Sequence, residues 1–512
     1  MLRIKPKWRD SGCIMKRRKE SDEIILTCQG FSKTQVTGSC WSISYKGDDG
    51  KRHLFMIECG LPQGANTILE SYNDMKRMSD KIISNGLVKS CENILFLHPH
   101  IDHTGLLPIY NSSNLFNGHI YSSYENIEIT KELLKDCFHI HKKNVQYLKT
   151  KGKKVNLIYK ESDLYNCFEH MDYLEVGKRI KIDSNLEIEL NNNSHTLGSC
   201  NAMIYVRKPS NNRIYKICYT SDMGSGINKN YSNYLKEQNI PTKCNVFISE
   251  ATYSDKYREM NEEIIKTERK EFIQRIKEGL ENGGEVLLPV FAFSRSQQVL
   301  TVLYNELKNE NWFNNNDYEV ICDGLLMNNI NKCYSRVLKG EDKKLFDEVI
   351  SWNRLKKIET FDGTMAMMSK RKPRIILASS GFLENGKVCF YMPLILGSSK
   401  GTIIITGYCS QNNEGSVGWK LVNSNQKTIT FPDKQTVLKR AKVYQQKSWS
   451  SHITNKELKE LFSKINCDKI IVHHCDENNK EEFINDCKNY LMNKNKTTKI
   501  VATGKSCYQF VL

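Results

Sequence analysis

The sequence predicts an α/β protein of more than one domain, and three observations carry that prediction. At 512 residues the chain exceeds what one hydrophobic core organises, so two or three domains are expected. From Glu285 onward, strand-sized runs (Glu285–Phe291, Tyr318–Cys322, Arg374–Leu377, Thr402–Ile405) alternate with helical stretches such as Ser296–Lys308. That rhythm belongs to βαβ units around a parallel sheet. Hydrophobic residues make up 39% and charged residues 26%, with 10 Pro and 29 Gly, a globular composition. No run approaches the roughly 18 apolar residues of a membrane helix, so a membrane partner is not expected.

Taken in order, the chain opens on a basic cluster, Lys16-Arg17-Arg18-Lys19, with no apolar stretch beside it. That reads as a solvated tail or a binding arm, and it argues against secretion. Short β-branched and aromatic runs between Ile24 and Gly60, among them Cys40–Tyr45 and His53–Ile57, predict antiparallel strands. Ile94–Leu97 is a buried strand that runs straight into a polar cluster. Helices are predicted over 127–149 and 258–282, the second stopped by Gly283-Gly284. The end of the chain reads as strand (Lys469–Val472), helix (Lys480–Met492) and strand (Lys499–Ala502). Thr503-Gly504-Lys505-Ser506 imitates the end of a phosphate-binding P-loop, but the glycine that motif needs five residues before Gly504 is Lys499.

Eighteen cysteines run from Cys13 to Cys507 with no C-x-x-C spacing, which argues against a zinc finger and a dithiol redox site. They read as reduced, buried small hydrophobes. The net charge of +17 favours a polyanionic partner.

The chemistry concentrates in His98-Pro-His100-Ile-Asp102-His103, directly after the Ile94–Leu97 strand. Imidazole and carboxylate are the ligands zinc takes when it keeps an exchangeable position. A spacing of two lets His98 and His100 reach one metal, while Asp102 and His103 turn toward a second position. His195, in Ser194-His195-Thr-Leu-Gly-Ser199, and Asp222, after the strand Ile214–Tyr219, would each pass singly for a turn residue. With the first cluster they supply a further histidine and a carboxylate able to bridge.

This set resembles the metallo-β-lactamase superfamily, whose H-x-H-x-D-H motif is matched by His98, His100, Asp102 and His103. The likeness extends to the β-CASP nucleases. Ser249-Glu250-Ala-Thr-Tyr253, Pro289-Val-Phe-Ala-Phe-Ser-Arg295-Ser-Gln297, Ala378-Ser-Ser-Gly381-Phe-Leu, Gly407-Tyr-Cys409, Ser451-His452 and Ile471-Val472-His473 follow the order of that group's motifs. It covers nearly the whole chain from about residue 30. The chain is most similar to the RNA-processing branch, which includes the endonuclease subunit of the cleavage and polyadenylation factor and its prokaryotic relatives. Two positions depart from the pattern. Glu58 stands where the family has Asp, and Val472-His473-His474-Cys475-Asp476 replaces Val-His-Gly-Glu. Register with the family picks His473 as a ligand and leaves His474 open as the alternative.

The resemblance implies an αββα sandwich over about 1–252, completed by about 436–512. A β-CASP cap domain, a parallel sheet flanked by helices, is inserted at about 253–435. It implies two zinc ions, the first held by His98, His100 and His195 and the second by Asp102, His103 and His473, with Asp222 bridging. Such a pair generates hydroxide near neutral pH and neutralises phosphoryl charge. Asp102 would orient the attacking water. Glu250 would hold His452, and His452 would protonate the leaving oxygen. Arg295 and the Ser379-Ser380-Gly381 turn are candidates for substrate phosphate. Basic runs at Lys149–Lys154 and Lys370–Lys372 fit a polyanion track.

The expected activity is hydrolysis of single-stranded RNA, endonucleolytic or from the 5′ end. Relatives that act on DNA carry Val at the position of His473, which favours RNA. A DNA-directed nuclease and a non-catalytic scaffold subunit are the alternatives. A homodimer or partner subunits of an RNA-processing complex are expected, in the cytoplasm, or in the nucleus of a eukaryote.

Overall fold

The computed structural model describes residues 22–65, 67–84, 86–112, 116–227, 233–255, 260–381, 383, 385–407, 415–431, 434–505 and 508–512. Lys16–Lys19, Phe382, Tyr408 and Cys409, all quoted above, lie outside them. The chain divides into two compact units. One comprises the chain up to Gly224, Glu237–Arg258 and Ile453–Leu512, and the other Ser225–Lys236 and Glu259–His452.

The first unit holds two seven-stranded sheets. Strands β1 (Ile25–Cys28), β2 (Trp41–Lys46), β3 (Arg52–Ile57), β4 (Cys91–Leu95), β5 (His119–Ser122), β6 (Met171–Tyr173) and β22 (Gln509–Val511) form one, in the order β22-β1-β2-β3-β4-β5-β6. The other is built from β7 (Arg179–Lys181), β8 (Leu186–Asn192), β9 (Cys200–Arg207), β10 (Ile214–Tyr219), β11 (Val246–Glu250), β20 (Lys469–His473) and β21 (Lys499–Ala502), in the order β21-β20-β11-β10-β9-β8-β7.

Period-two alternation explains the layering. Leu95 and Leu97 enter a core shared by both sheets, whereas Ile94 and Phe96 pack outward with Leu134 and Phe138 of the helix Tyr124–Thr150. On the other sheet Ile471 joins the shared core, and Val472 packs outward with Phe462 and Phe483 of the helices Asn455–Lys464 and Glu477–Asn493. The result is helix, sheet, sheet, helix. Each such buried side chain stabilises by roughly 1.5–3 kcal/mol. The strand β4 stops at Leu95, so Phe96-Leu97 leads out of the ladder into the histidine cluster.

The second unit is a six-stranded, wholly parallel sheet. Its strands are β12 (Glu285–Pro289), β13 (Val320–Asp323), β14 (Leu355–Ile358), β15 (Arg374–Ala378), β16 (Thr402–Ile405) and β19 (Lys442–Gln445), in the order β14-β13-β15-β12-β16-β19. Helices cover both faces, so its strands are apolar on both sides. Val286, Leu288 and Ile375 face the helices Glu262–Glu281 and Arg295–Leu307, while Leu287, Ile376 and Ile403 face Val388–Leu396. A two-stranded hairpin of Thr428–Thr430 with Thr436–Leu438 completes the strands.

The return to the first unit comes later than 436. Lys442–Gln445 pairs in parallel with β16 and belongs to the inserted sheet, so the return segment begins at Ile453. Among the described residues no helix is long and apolar enough to cross a membrane.

Candidate metal centre

The carboxyl ends of β4, β10, β11 and β20 converge on one polar cluster. His98, His103, His195, Asp222, Glu250 and His474 are all buried there. Two glycines make the loops' approach feasible. A Cβ on Gly60 would meet the carbonyl oxygen of Asp102 at 1.7 Å, and one on Gly224 would meet that of Ser194 at 1.9 Å. Any other residue would push the ligand loops apart. Glu58, Ser194, Ser221 and His474 all take left-handed backbone, with φ of 61°, 61°, 53° and 50°. Non-glycine residues pay on the order of 1 kcal/mol for this, and such outliers concentrate at functional sites.

The donor atoms form two sets that share Asp222. His98, His100, His195 and Asp222 make the first, and Asp102, His103, Asp222 and His474 the second, each with its donor atoms within 4.8 Å of one another. Oδ2 of Asp222 lies 3.6 Å from His98 Nε2 and 4.0 Å from His195 Nε2, and Oδ1 lies 3.4 Å from His103 Nε2 and 3.3 Å from His474 Nδ1. Asp102 Oδ2 stands 3.7 Å from His103 Nε2 and 3.5 Å from His474 Nε2. Most of these separations are long for hydrogen bonds. Two atoms bound tetrahedrally to one zinc at 2.0–2.1 Å stand about 3.3–3.4 Å apart, which the shortest of these separations match and the others exceed by up to about 0.7 Å. Nε2 of His98 and His103 and Oδ1 of Asp222 are buried with no hydrogen-bond partner among the described residues. Orphaned donors of the right chemistry around a shared carboxylate fit a pair of divalent cations.

Outer partners fix the imidazoles. The Ser221 hydroxyl donates its single proton to Glu58 Oε1, and Tyr219 Oη donates to Oε2 at 2.7 Å. Ser221 Oγ can then only accept from His98 Nδ1, 3.0 Å away, so the lone pair of His98 sits on Nε2. His103 Nδ1 faces Glu58 Oε2 at 2.8 Å, which likewise directs its Nε2 to the cluster. Glu58, longer by one methylene than the Asp of the family motif it resembles, thus supports His98 and His103 from a fully buried position. Asn193 is a second organiser. Its side-chain amide donates to the carbonyls of Cys200, Thr220 and Asp222, and its Oδ1 accepts from the His195 N–H at 3.2 Å.

The field of the cluster draws positive charge. Burial works against the charged forms throughout, yet Glu58, Asp222 and Asp102 raise His103 well above the ordinary histidine range. The imidazoles of His474, His103 and His98 hold Asp222 well below the carboxylate range. His98 is pushed well down, by burial first and then by His103.

The return strand decides between two neighbours. Register picks His473 and leaves His474 open beside Asp102 and His103, and it is His474 that the structure brings into that set. His473 ends β20 and follows the strand's alternation into the inter-sheet core. Its Nδ1 accepts from Trp41 Nε1 at 3.3 Å, and its ring meets Trp41 and Tyr219 at 5.5 and 5.3 Å between centroids. His474 leaves the strand with positive φ, and that turn carries its ring to the cluster, with Nδ1 also 3.1 Å from Thr252 Oγ1. Burial and His474 lower His473 well below the usual range, whereas Asp222 and Asp102 overcome burial to raise His474.

Glu250 closes β11 in register with His473. Its Oε1 accepts from the Met223 N–H at 2.7 Å and its Oε2 from the Thr252 N–H at 2.8 Å, so it pins the loop that carries Asp222. His452 is the last residue of the second unit and is half-buried. Arg295 begins its helix and donates through Nη1 to the Thr406 carbonyl. Ser379, Ser380 and Gly381 follow the carboxyl end of β15, and the Ser380 hydroxyl is buried without a partner among the described residues. In the basic run 370–372, Arg371 is tied to Glu285 and Lys372 to Glu319 at 2.8 Å.

Sequence reasoning missed Ser221, Asn193 and Tyr219. Ser221 had a signal, since it precedes a bridging carboxylate candidate. The Asn191-Asn192-Asn193 run had none, because asparagine is common throughout this chain.

A family profile described as a Beta-Casp domain matches residues 296–421. The chain is 25% identical over 462 residues to Integrator complex subunit 11 of Danio rerio, covering 88% of this chain and 69% of that protein. It is 26% identical over 349 residues to an RNase J-like protein of Methanocaldococcus jannaschii, covering 68% and 73%. Against endoribonuclease ysh1 of Schizosaccharomyces pombe it is 23% identical over 485 residues, covering 91% of this chain and 57% of the relative.

Proposed function

Starting from a chain that belongs with the β-CASP group of metallo-β-lactamase RNases, we propose that it is a zinc-dependent ribonuclease that hydrolyses phosphodiester bonds of single-stranded RNA within an RNA-processing assembly. The observation that carries this reading is the pair of donor sets sharing Asp222. His98, His100, His195 and Asp222 would hold one zinc, and Asp102, His103, His474 and Asp222 the other. A scaffold subunit has no need to keep both sets. The names of the relatives (an RNase J-like protein, an endoribonuclease) point to the same substrate class.

When bound, the zinc pair supplies Lewis acidity, which lowers the pKa of water and neutralises charge on the phosphoryl oxygens. The chain's own residues do the rest. Glu58 and Ser221 hold His98 and His103 so that each offers Nε2. Asp102, at the edge of the cluster, orients the attacking water and accepts its proton. Glu250 keeps the Asp222 loop in place, and His452 delivers a proton to the departing oxygen of the RNA. Arg295 and the Ser379-Ser380-Gly381 turn bind backbone phosphates.

The test is direct. Purified full-length protein is assayed for metal content, then incubated with end-labelled single-stranded RNA and DNA of equal sequence. Two zinc ions per chain and faster cleavage of RNA are expected, with the product ladder separating internal cleavage from 5′ trimming. Metal-replete protein that leaves RNA intact, or that cuts the DNA equally fast, overturns the reading. His452→Ala should keep its zinc while its rate falls by about 10²–10⁴-fold.

A further inference from the structure

Within the second unit, residues beyond the carboxyl ends of β16 and β19 lie near a guanidinium nitrogen that has no acceptor among the described residues. Arg269 lies on the helix Glu262–Glu281, and its guanidinium sits over the Trp449 ring, 3.1 Å from the centroid. Its Nη1 is shut off from solvent and has no hydrogen-bond partner among the described residues. Arg295 approaches from the neighbouring helix, anchored to the Thr406 carbonyl just past β16. The two cations act on each other. Burial first and the Arg295 charge second pull Arg269 down to about 9, against the opposing charges of Glu268 and Glu306. Glu268 precedes Arg269 on the same helix, and its Oε2 accepts from the Ser448 N–H at 2.8 Å, while Nη1 of Arg269 stays unpaired among the described residues. The Ser448 hydroxyl is itself buried with no partner among the described residues.

Two guanidiniums and a hydroxyl, donors all, thus share a partly desolvated corner. Burying a guanidinium nitrogen and a hydroxyl without acceptors is costly, and a ligand at this corner would supply them. The planar fork of arginine matches a tetrahedral oxyanion better than a lysine would. The carboxyl ends of a parallel sheet are also where open α/β sheets bind ligands. We propose that Arg269, together with Arg295 and the Ser448 hydroxyl, forms a phosphate-binding subsite that holds a backbone phosphate of the substrate RNA. This rests on the ribonuclease reading above and adds to it a residue, Arg269, that no motif contains. The competing role for Arg269 is structural, a stacked cover that holds Trp449 in place.

The test compares the full-length protein with Arg269→Met, which keeps the aliphatic cover over Trp449, and with Arg269→Lys. Single-stranded RNA binding is measured without turnover across a salt series, alongside zinc content and thermal protection by inorganic phosphate. Loss of one phosphate contact reduces the slope of log affinity against log salt by about 0.7 for a single strand. The Met variant should show that reduction and an affinity loss of about 3- to 10-fold, with zinc content and melting temperature unchanged. The Lys variant should retain the salt slope and recover part of the affinity. An unchanged slope with a lowered melting temperature assigns Arg269 to the structural role and overturns the subsite. Protection by inorganic phosphate that Arg269→Met abolishes, with RNA binding untouched, makes the site one for a free anion and overturns the RNA assignment. Failure of the ribonuclease reading looks different: the wild-type protein then neither cleaves RNA nor binds it with a salt-dependent slope.

Discussion

Asp222 in the first unit and Asp323 in the second are both buried carboxylates at the carboxyl end of a central strand, yet their surroundings differ in kind. Asp323 is satisfied. Tyr391 Oη donates to its Oδ2 at 2.6 Å, Thr364 Oγ1 to its Oδ1 at 3.2 Å, and Lys387 Nζ stands 3.7 Å away. Around Asp222 the neighbours are histidine nitrogens at 3.3–4.0 Å. Burial and charge alone do not separate these two sites. What separates them is the gap between polar atoms: two hydrogen bonds from neutral hydroxyls in one, and longer separations to several imidazoles, as a set able to hold a metal would have, in the other.

The strongest break of this comparison exchanges the two carboxylates for amides. Asp222→Asn should lower the zinc content of purified protein and reduce cleavage well beyond the ~10–100-fold that loss of an outer partner costs, since both donor sets lose a shared ligand. Asp323→Asn should leave zinc content untouched and cost stability on the order of 1–3 kcal/mol, read as a shift in the urea midpoint. Zinc loss from the Asp323 variant, or full zinc in the Asp222 variant, would dissolve the distinction.

The two adjacent histidines repeat the contrast on a smaller scale. His474→Ala should lose zinc and activity together. His473→Ala should retain zinc but lose about 1–3 kcal/mol of stability, because the buried Trp41 Nε1–H is left without its acceptor. Metal analysis of both variants decides which histidine is the ligand.

How much of this was legible in the sequence follows from what each residue type can mean. Three histidines and an aspartate within His98–His103 have few uses besides metal binding, so the first half of the centre could be read directly. The return histidine could not. Its identity depends on which face of β20 each residue takes and on one left-handed φ at His474, a conformation uncommon enough in non-glycine residues that no sequence pattern places it there. The late return to the first unit was hidden for a similar reason. Lys442–Gln445 is a strand of the inserted sheet only because β16, some forty residues earlier, offers it an edge. Glu58 could be read as an outer partner, and His103 meets it directly, but its link to His98 runs through Ser221, a residue type too common to notice.

A milder change sharpens the role of those outer partners. Glu58→Gln keeps the size of the side chain and weakens its claim on the Ser221 proton and on His103 Nδ1–H. Zinc affinity, measured by competition with a chelator, should fall about 10–100-fold while the fold is retained. Glu58→Asp should lie between, since it restores the charge with a shorter reach.

The smallest expected effect comes from His141, a buried histidine outside the cluster. Its Nε2 accepts from the Ile158 N–H at 3.1 Å, and burial alone lowers it from 6.5 to about 4. No carboxylate compensates, as Asp222 and Asp102 do for His474. A histidine whose folded pKa lies below its unfolded one leaves stability intact above pH 6.5 and costs stability as the pH falls from 6.5 toward 4, because the unfolded chain takes up the proton first. At pH 5.5 the cost is about 1 kcal/mol, and at pH 7.5 it is near zero. His141→Gln keeps an acceptor for Ile158 and removes the titration. Urea midpoints at the two pH values should therefore fall less in the variant than in the wild type, by about 1 kcal/mol in stability. Equal acid sensitivity in both proteins would show that His141 takes its proton without penalty, and that burial without a charged partner does not distinguish a packing histidine from one in the metal cluster.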